Sequence, residues 1–111
     1  MQKSEETDSM KVGQFLMNRG EFLSVAESCT GGLLCDLAVQ TVGSSAWFTG
    51  GWVTYSNELK QEQLGVSEYL ISEHGAVSWQ VAAAMCAGAM AQSCATISLS
   101  TTGIAGPDGG T

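Results

Sequence analysis

Side chains that could do chemistry lie where apolar segments of the sequence give way to small residues. They are Ser28 and Thr30, Ser44 and Ser45, Thr101 and Thr102, and Tyr55 with Lys60. A serine hydroxyl becomes an effective nucleophile only when a base accepts its proton. The single histidine, His74, precedes Gly75 at a predicted helix end, so a lysine whose pKa is lowered by burial is the remaining base. The set suits attack on an amide or ester carbonyl, although serine and glycine are also common in ordinary turns.

The first hydroxyl cluster follows a short apolar segment, residues 22–26, and precedes Gly31 and Gly32. This pattern predicts a buried strand that turns sharply into a helix over residues 31–40. In an α/β sheet such a turn lies at the carboxyl end of the strand, where ligands bind, and its backbone N–H groups favour anions. The N–H groups of this turn, or of residues 43–45, could form an oxyanion hole. A helix N-cap with ordinary packing glycines is the alternative interpretation.

The rest of the chain alternates between helix and strand patterns, which predicts an α/β fold. Helices are predicted over residues 8–19, from Ser56 or Asn57 to Gly65, from Ser67 to His74, and over 79–93. Strands are predicted over residues 51–55 and 95–101, with a bulge or close backbone approach at Gly50 and Gly51. The many alanines of the last helix indicate close packing, or simply reflect helix propensity.

Composition limits the classes of function. The 111 residues form one domain at most, and 44% of them are hydrophobic, enough for a core. The sequence contains no run of 18 apolar residues, so no membrane span is predicted. The polar N-terminus argues against a signal peptide, and a cytoplasmic location is therefore expected. A net charge of −7 argues against a nucleic-acid partner. Four cysteines without a CxxC pair indicate reduced thiols, and a zinc site is not expected.

Lys60 is the only basic residue after Arg19. Taken alone, a single lysine is usually a solvated surface charge. Its spacing from Tyr55 gives the other interpretation, in which Lys60 is a buried base beside the end of the second strand.

Six blocks of sequence recur in the order of a known family. They are residues 26–32, 43–45, 51–57 together with Lys60, 64–66, 75–78 and 102–110. In these blocks the chain resembles the CinA C-terminal domain family, which includes stand-alone nicotinamide-nucleotide amidases of the PncC type. The resemblance implies a three-layer α/β/α domain over residues 1–111, with an N-terminal helix at 8–19 and the core motifs at 22–111.

The same resemblance implies hydrolysis of a small-molecule nucleotide. Nicotinamide mononucleotide would give nicotinic acid mononucleotide and ammonia, as in pyridine-nucleotide salvage, without a metal or cofactor and in a homodimer. It assigns Ser45 as the nucleophile, Lys60 as the base and Tyr55 as a proton-relaying or orienting group. Residues implied to bind the substrate or the oxyanion are Ser28, Thr30, Gly31, Ser44, Thr102 and Gly103. Ser28 is the rival nucleophile.

The chain departs from the family pattern in two ways. The 111 residues contain no counterpart of the large N-terminal domain of full-length CinA proteins, so a stand-alone form is expected. The family domain also continues past the last glycine-rich loop with a further strand and helix. That segment supplies a basic residue for the substrate phosphate, so the domain is expected to be incomplete at its C-terminal end, with weak or no turnover. A catalytically idle nucleotide- or protein-binding domain, or another amide or ester hydrolase, are the alternative functions.

Overall fold

The computed structural model describes residues 6–104. In that range the helices are α1 Asp8–Arg19, α2 Leu33–Gln40, α3 Asn57–Leu64, α4 Glu68–His74 and α5 Trp79–Gln92, and the strands are β1 Leu23–Glu27, β2 Phe48–Val53 and β3 Ile97–Ser100. A short 3-10 turn, Ser44–Ala46, precedes β2. The predicted helices and strands are therefore confirmed to within a few residues. Most of the predicted glycine-rich loop, residues 105–111, lies outside the described range.

The three strands form one parallel sheet in the order β2-β1-β3. Leu23 at the start of β1 is level with Phe48 of β2 and with Ile97 of β3, and Glu27 at the end of β1 is level with Val53. The strand ends therefore define two sides of the sheet. We call them the carboxyl edge, formed by residues 28–32, 54–56 and 101–103, and the amino edge, formed by the residues before each strand.

Helices cover both faces of the sheet. On one face, Ala26 of β1 belongs to an apolar cluster with residues of α3 and α5; its buried members are Ala26, Leu64, Val66, Val81, Met85 and Ala89. On the other face, Leu16 of α1, Ala38 of α2 and Trp47 form a second buried cluster. The predicted α/β fold is confirmed, with helices on both sides of a parallel sheet.

Gly50 and Gly51, which lie within β2, act as the sequence predicts. The register of β1 and β2 slips by one residue, since Leu23 pairs with Phe48 but Ser24 pairs with Gly50. A Cβ atom on Gly51 would lie 2.7 Å from the carbonyl oxygen of Val25. Both the bulge and the close backbone approach are therefore present.

No helix among residues 6–104 is long and apolar enough to cross a membrane.

The alanine-rich helix α5 lies against α3 at very short range. A Cβ atom on Gly88 would lie 2.0 Å from the carbonyl oxygen of Leu64, the last residue of α3. On the same face of α5, Met85 and Ala89 are completely buried. Close packing, and not helix propensity alone, therefore explains the small residues on this face.

Replacing Gly88 with alanine tests that packing. Helix propensity alone would stabilise the variant by about 1 kcal/mol. Because the added methyl overlaps a backbone carbonyl, we expect the free energy of unfolding to fall instead, by about 1–3 kcal/mol. Urea denaturation measures it, with Ala87→Gly on the exposed side of α5 as the control for propensity. A more stable Gly88→Ala variant would contradict the packing.

Candidate active site

The sheet divides the predicted hydroxyl clusters between its two edges. Ser28 and Thr30 follow β1, and Thr101 follows β3, so all three lie at the carboxyl edge. Ser44 and Ser45 form the 3-10 turn that precedes β2, at the amino edge. The sequence could not show this division, because it does not specify which end of β2 faces the end of β1.

Ser45 is therefore not brought to Lys60 in this chain. The six residues of β2 lie between them, and a strand of that length spans about 20 Å. Ser45 is exposed at the amino edge, and its neighbour Ser44 donates its backbone N–H to Thr41. The structure thus corrects the pairing of Ser45 with Lys60, and it places the predicted binding residue Ser44 at the same remote edge.

Lys60 lies at the carboxyl edge and is fully buried. Helix α3 begins just after β2, with Ser56 as its N-cap, and one side of the helix buries Lys60 together with Leu64 one turn later. The Lys60 side chain is 1% exposed, so the surface-charge interpretation is wrong. Its Nζ donates to Ser28 Oγ at 3.0 Å, to Thr54 O at 2.9 Å and to Tyr55 O at 3.0 Å.

The surroundings of Lys60 favour its neutral form. Burial lowers the pKa of the Lys60 ammonium below its ordinary value, while the neighbouring Cys29 thiol acts in the opposite direction. In the part of the chain described by the structure, the only ion pair joins Arg19 and Glu21, so no carboxylate stabilises the charged lysine. A lysine with a lowered pKa beside a serine hydroxyl is a suitable general base.

Ser28 and Tyr55, the other two residues with a predicted role in catalysis near Lys60, differ in their contacts with it. Ser28, the rival nucleophile, is buried and in hydrogen-bond contact with Lys60. Tyr55 contributes its backbone carbonyl to Lys60, whereas its side chain is 66% exposed. Among residues 6–104, no hydrogen bond joins the Tyr55 hydroxyl to Lys60 or Ser28. The role of proton relay therefore stays a prediction without a contact to support it.

Glu27 holds the turn that carries Ser28. Its buried carboxylate accepts hydrogen bonds from the Thr30 hydroxyl and from three backbone N–H groups at the start of α2, those of Gly32, Leu34 and Cys35. Burial alone would raise the pKa of the Glu27 carboxyl, but these hydrogen bonds outweigh it and lower the pKa to about 2. Burial, together with the same carboxylate, raises the pKa of the Cys35 thiol to about 12.

The helix N-terminus is consequently occupied by the protein's own carboxylate. The N–H of Gly32 is bound to Glu27, and that of Gly31 donates to the carbonyl oxygen of Ser28. Both N–H groups therefore have acceptors within the protein, and the predicted binding of substrate by Gly31 stays a prediction without a free backbone donor to support it. Among the described residues, the backbone N–H groups of Cys29 and Thr30 have no hydrogen-bond acceptor, so they are the donors left beside Ser28.

Glu27→Gln tests this arrangement through stability. An amide offers one acceptor oxygen, and its NH2 group would face a backbone N–H. We therefore expect the free energy of unfolding to fall by about 2–4 kcal/mol at pH 7. Because the folded-state pKa of Glu27 lies below its usual 4.5, the stability it contributes is present above pH 4.5 and is lost as the pH falls towards 2.

The comparison uses denaturant unfolding of the wild type and the variant between pH 7 and pH 2.5. The wild type should lose stability towards acid more steeply than Glu27→Gln, and the exposed substitution Glu62→Gln should follow the wild type. Equal acid dependence in wild type and Glu27→Gln would show that the carboxylate does not hold the turn.

The loop after β3 closes the site from the other side. The Thr101 hydroxyl lies 2.9 Å from that of Thr30 and accepts from the backbone N–H of Ser28 at 3.4 Å. The Thr102 hydroxyl donates to the carbonyl oxygen of Ala76 at 2.7 Å, so it ties the loop to the connection between α4 and α5. A Cβ atom on Gly103 would lie 3.1 Å from the sulfur of Cys29.

From the sequence, Thr101 was grouped with Thr102 without a role of its own, and no role was assigned to Glu27. Both are adjacent to residues that were singled out, Ser28 and Thr102. The available signal was their position at strand ends, since the carboxyl ends of neighbouring parallel strands meet at one edge. Their hydrogen bonds depend on the order of the strands, which the sequence alone does not give.

Known proteins resemble this chain over nearly all of its length. The model of the CinA C-terminal domain family matches residues 5–111. Nicotinamide-nucleotide amidohydrolase PncC of Escherichia coli K12 is 49% identical over 102 residues, which cover 92% of this chain and 62% of that protein. A CinA-like protein of Chloroherpeton thalassium is 50% identical over 90% of this chain and 24% of its own length. The chain thus spans between a quarter and just under two thirds of these relatives.

Solved structures agree with the sequence comparison. A CinA superfamily protein from Escherichia coli superposes with a TM-score of 0.92 at 32% identity, covering 99% of this chain and 66% of the other. The competence/damage inducible protein CihA from Agrobacterium tumefaciens gives a TM-score of 0.84 at 38% identity, covering 99% and 69%.

Proposed function

The chain belongs to the CinA C-terminal domain family, and from that premise we propose that it hydrolyses the carboxamide of nicotinamide mononucleotide to nicotinic acid mononucleotide and ammonia. The observation that carries this proposal is the buried contact of 3.0 Å between Lys60 Nζ and Ser28 Oγ. The name of the Escherichia coli relative supports the choice of substrate. A role in pyridine-nucleotide salvage and a homodimer stay predictions from the family resemblance, and a cytoplasmic location stays a prediction from the sequence.

The contacts of Lys60 fit both protonation states of a general base. A neutral amine has two N–H groups, which the carbonyl oxygens of Thr54 and Tyr55 accept, and its lone pair then faces the Ser28 hydroxyl. After proton transfer the ammonium has three N–H groups and the same three oxygens as acceptors. The proton can therefore move to Lys60 and back without rearrangement of the site.

The reaction follows from this geometry in two steps. Ser28 Oγ attacks the carboxamide carbon while Lys60 takes the hydroxyl proton. Lys60 then returns that proton to the amide nitrogen, the C–N bond breaks, and ammonia leaves an ester on Ser28. Water attacks the ester with Lys60 again as base, which releases the carboxylic acid and restores the Ser28 hydroxyl. The net change is addition of one water molecule to the amide, with release of ammonia.

The oxygen that becomes negative in both steps needs nearby donors. The backbone N–H groups of Cys29 and Thr30 follow Ser28 directly in the turn and face no acceptor among the described residues. We assign them to the oxyanion, because donors fixed by the backbone stabilise developing charge without reorganisation. Thr102 and Gly103 stay predicted substrate contacts on the opposite side of Ser28, and the exposed Tyr55 side chain is free to contact the substrate.

The test is ammonia release from nicotinamide mononucleotide, measured together with nicotinic acid mononucleotide. It is run on the 111-residue chain and on a form extended by the C-terminal strand and helix that the family resemblance implies. We expect both products in equal amounts from the extended form. Hydrolysis of simple amides or esters without nicotinamide mononucleotide turnover would favour another hydrolase, and a folded but inactive extended form would favour a binding domain.

A further inference from the structure

We propose that Thr101 is a positioning residue that fixes Ser28 through its backbone N–H. The inference rests on the proposed role of Ser28 as nucleophile. The hydroxyls of Thr101 and Thr30 and the carboxylate of Glu27 form one chain of hydrogen bonds. It starts at the Ser28 N–H and ends on the Glu27 carboxylate. Thr101 is the only member that comes from β3, since it follows Ser100 directly.

The direction of each hydrogen bond in this chain is fixed by its ends. Glu27 is ionised at neutral pH and can only accept, so the Thr30 hydroxyl must donate to it. The Thr30 oxygen is then an acceptor for Thr101, whose single hydroxyl proton points to Thr30 across 2.9 Å. The Thr101 oxygen is left with its lone pairs, and it accepts from the Ser28 N–H.

This ordering gives Thr101 a task that no other group in the turn performs. The backbone N–H of Thr101 donates to Ala26 O at 3.0 Å, so the sheet register fixes its position. Because the Thr101 hydroxyl accepts from the Ser28 N–H, it also fixes the position of Ser28, the first residue after β1. Displacement of the nucleophile lowers kcat steeply, because attack requires the reacting atoms to be aligned at near-contact distance.

The experiment compares Thr101→Val, which keeps the shape but removes the hydroxyl, with Thr101→Ser, which keeps the hydroxyl. The control is Thr96→Val, which removes a hydroxyl that accepts from the Phe22 N–H at the amino edge. Each is made in the extended form, and kcat and KM are measured with nicotinamide mononucleotide. Deuterium exchange of the Ser28 amide reports on the hydrogen bond itself.

For Thr101→Val we expect kcat to fall about 10- to 100-fold with KM changed less than about threefold. Its Ser28 amide should exchange faster, whereas Thr101→Ser and Thr96→Val should stay near wild type in both measurements. If Thr101→Val does not fold, Thr101→Ala with the same readouts takes its place.

Three results would overturn the role of Thr101. They are an unchanged kcat in Thr101→Val, an equal loss in Thr101→Ser, which would indicate packing, and unchanged exchange of the Ser28 amide. An inactive wild type would instead overturn the proposed function, and the role of Thr101 with it. The two failures are therefore distinguishable.

Discussion

Replacing Lys60 with methionine should reduce kcat for nicotinamide mononucleotide by about 10²–10⁴-fold. Methionine fills a similar volume but cannot accept the proton of Ser28, which lies 3.0 Å from Nζ in the wild type. The fold should persist, because the variant also removes the desolvation cost of a lysine that is 1% exposed. Steady-state ammonia release and circular dichroism measure the two properties together.

Lys11→Met, on the exposed side of α1, is the matched control and should retain wild-type turnover. A Lys60→Met variant that folds and keeps more than about a tenth of the wild-type kcat would remove Lys60 from the mechanism.

The pH dependence of the wild type follows from the same residue. Only neutral Lys60 can act as the base, so kcat/KM should rise with pH through the pKa of Lys60, which burial places below its ordinary 10.5. Because the unfolded chain binds the proton more tightly, the contribution of Lys60 to stability also increases as the pH rises towards 10.5. A rising limb retained unchanged in any residual activity of Lys60→Met would assign the titration to another group.

The second large effect is expected from paired serine substitutions. Ser28→Ala should lower kcat by at least about 10³-fold, because it removes the proposed attacking oxygen and leaves Lys60 without its catalytic partner. Ser45→Ala should retain activity within about threefold, because Ser45 lies at the amino edge, separated from Lys60 by the length of β2. Ammonia release from the extended form of each variant gives the comparison.

The paired design also separates loss of chemistry from loss of structure. Both substitutions remove one hydroxyl from a short turn, so similar unfolding midpoints would leave turnover as the difference between them. A Ser45→Ala variant that is inactive while Ser28→Ala is active would restore the assignment made from the family resemblance. It would also mean that Ser45 reaches a base in an arrangement that this chain does not show.

Most of the secondary structure could be predicted because its signals are local. The side chains of the N-caps Ser56, Ser67 and Ser78 each accept a hydrogen bond from the backbone N–H three residues later, as the sequence predicts. Gly65 ends α3 in the left-handed conformation that glycine favours. The α/β class follows from the alternation of helix and strand patterns, which does not depend on how the strands are ordered.

The site was less predictable because it depends on strand order. The candidates Ser28 and Ser45 both stand at a junction between a strand and small residues. Only the parallel pairing of β1 and β2 shows that the start of β2, which Ser45 precedes, lies beside the start of β1 and away from Ser28. β2 was predicted over residues 51–55 but begins at Phe48, directly after the turn that carries Ser45. With either set of limits Ser45 precedes the strand and Lys60 follows it, so the separation of the two residues follows from the parallel pairing of β1 and β2.

The electrostatic roles of Glu27 and Lys60 were the hardest features to predict from the sequence. The carboxylate of Glu27 could have been a catalytic group or a helix cap, and only the four hydrogen bonds it accepts show that it is a cap with a lowered pKa. Lys60 likewise could have been a surface charge, and its burial depends on contacts with residues 28, 54 and 55 that come from different parts of the chain.

The central claim is that Ser28 Oγ forms the covalent bond to the substrate, and acid quenching during turnover tests it most directly. Protein from the extended form is quenched with nicotinamide mononucleotide present, digested and analysed by peptide mass spectrometry. We predict that the nicotinic acid mononucleotide ester is found on the peptide that contains Ser28 and is absent from Lys60→Met. An ester on the peptide that contains Ser45 would contradict the account, as would turnover by Ser28→Ala at the wild-type rate.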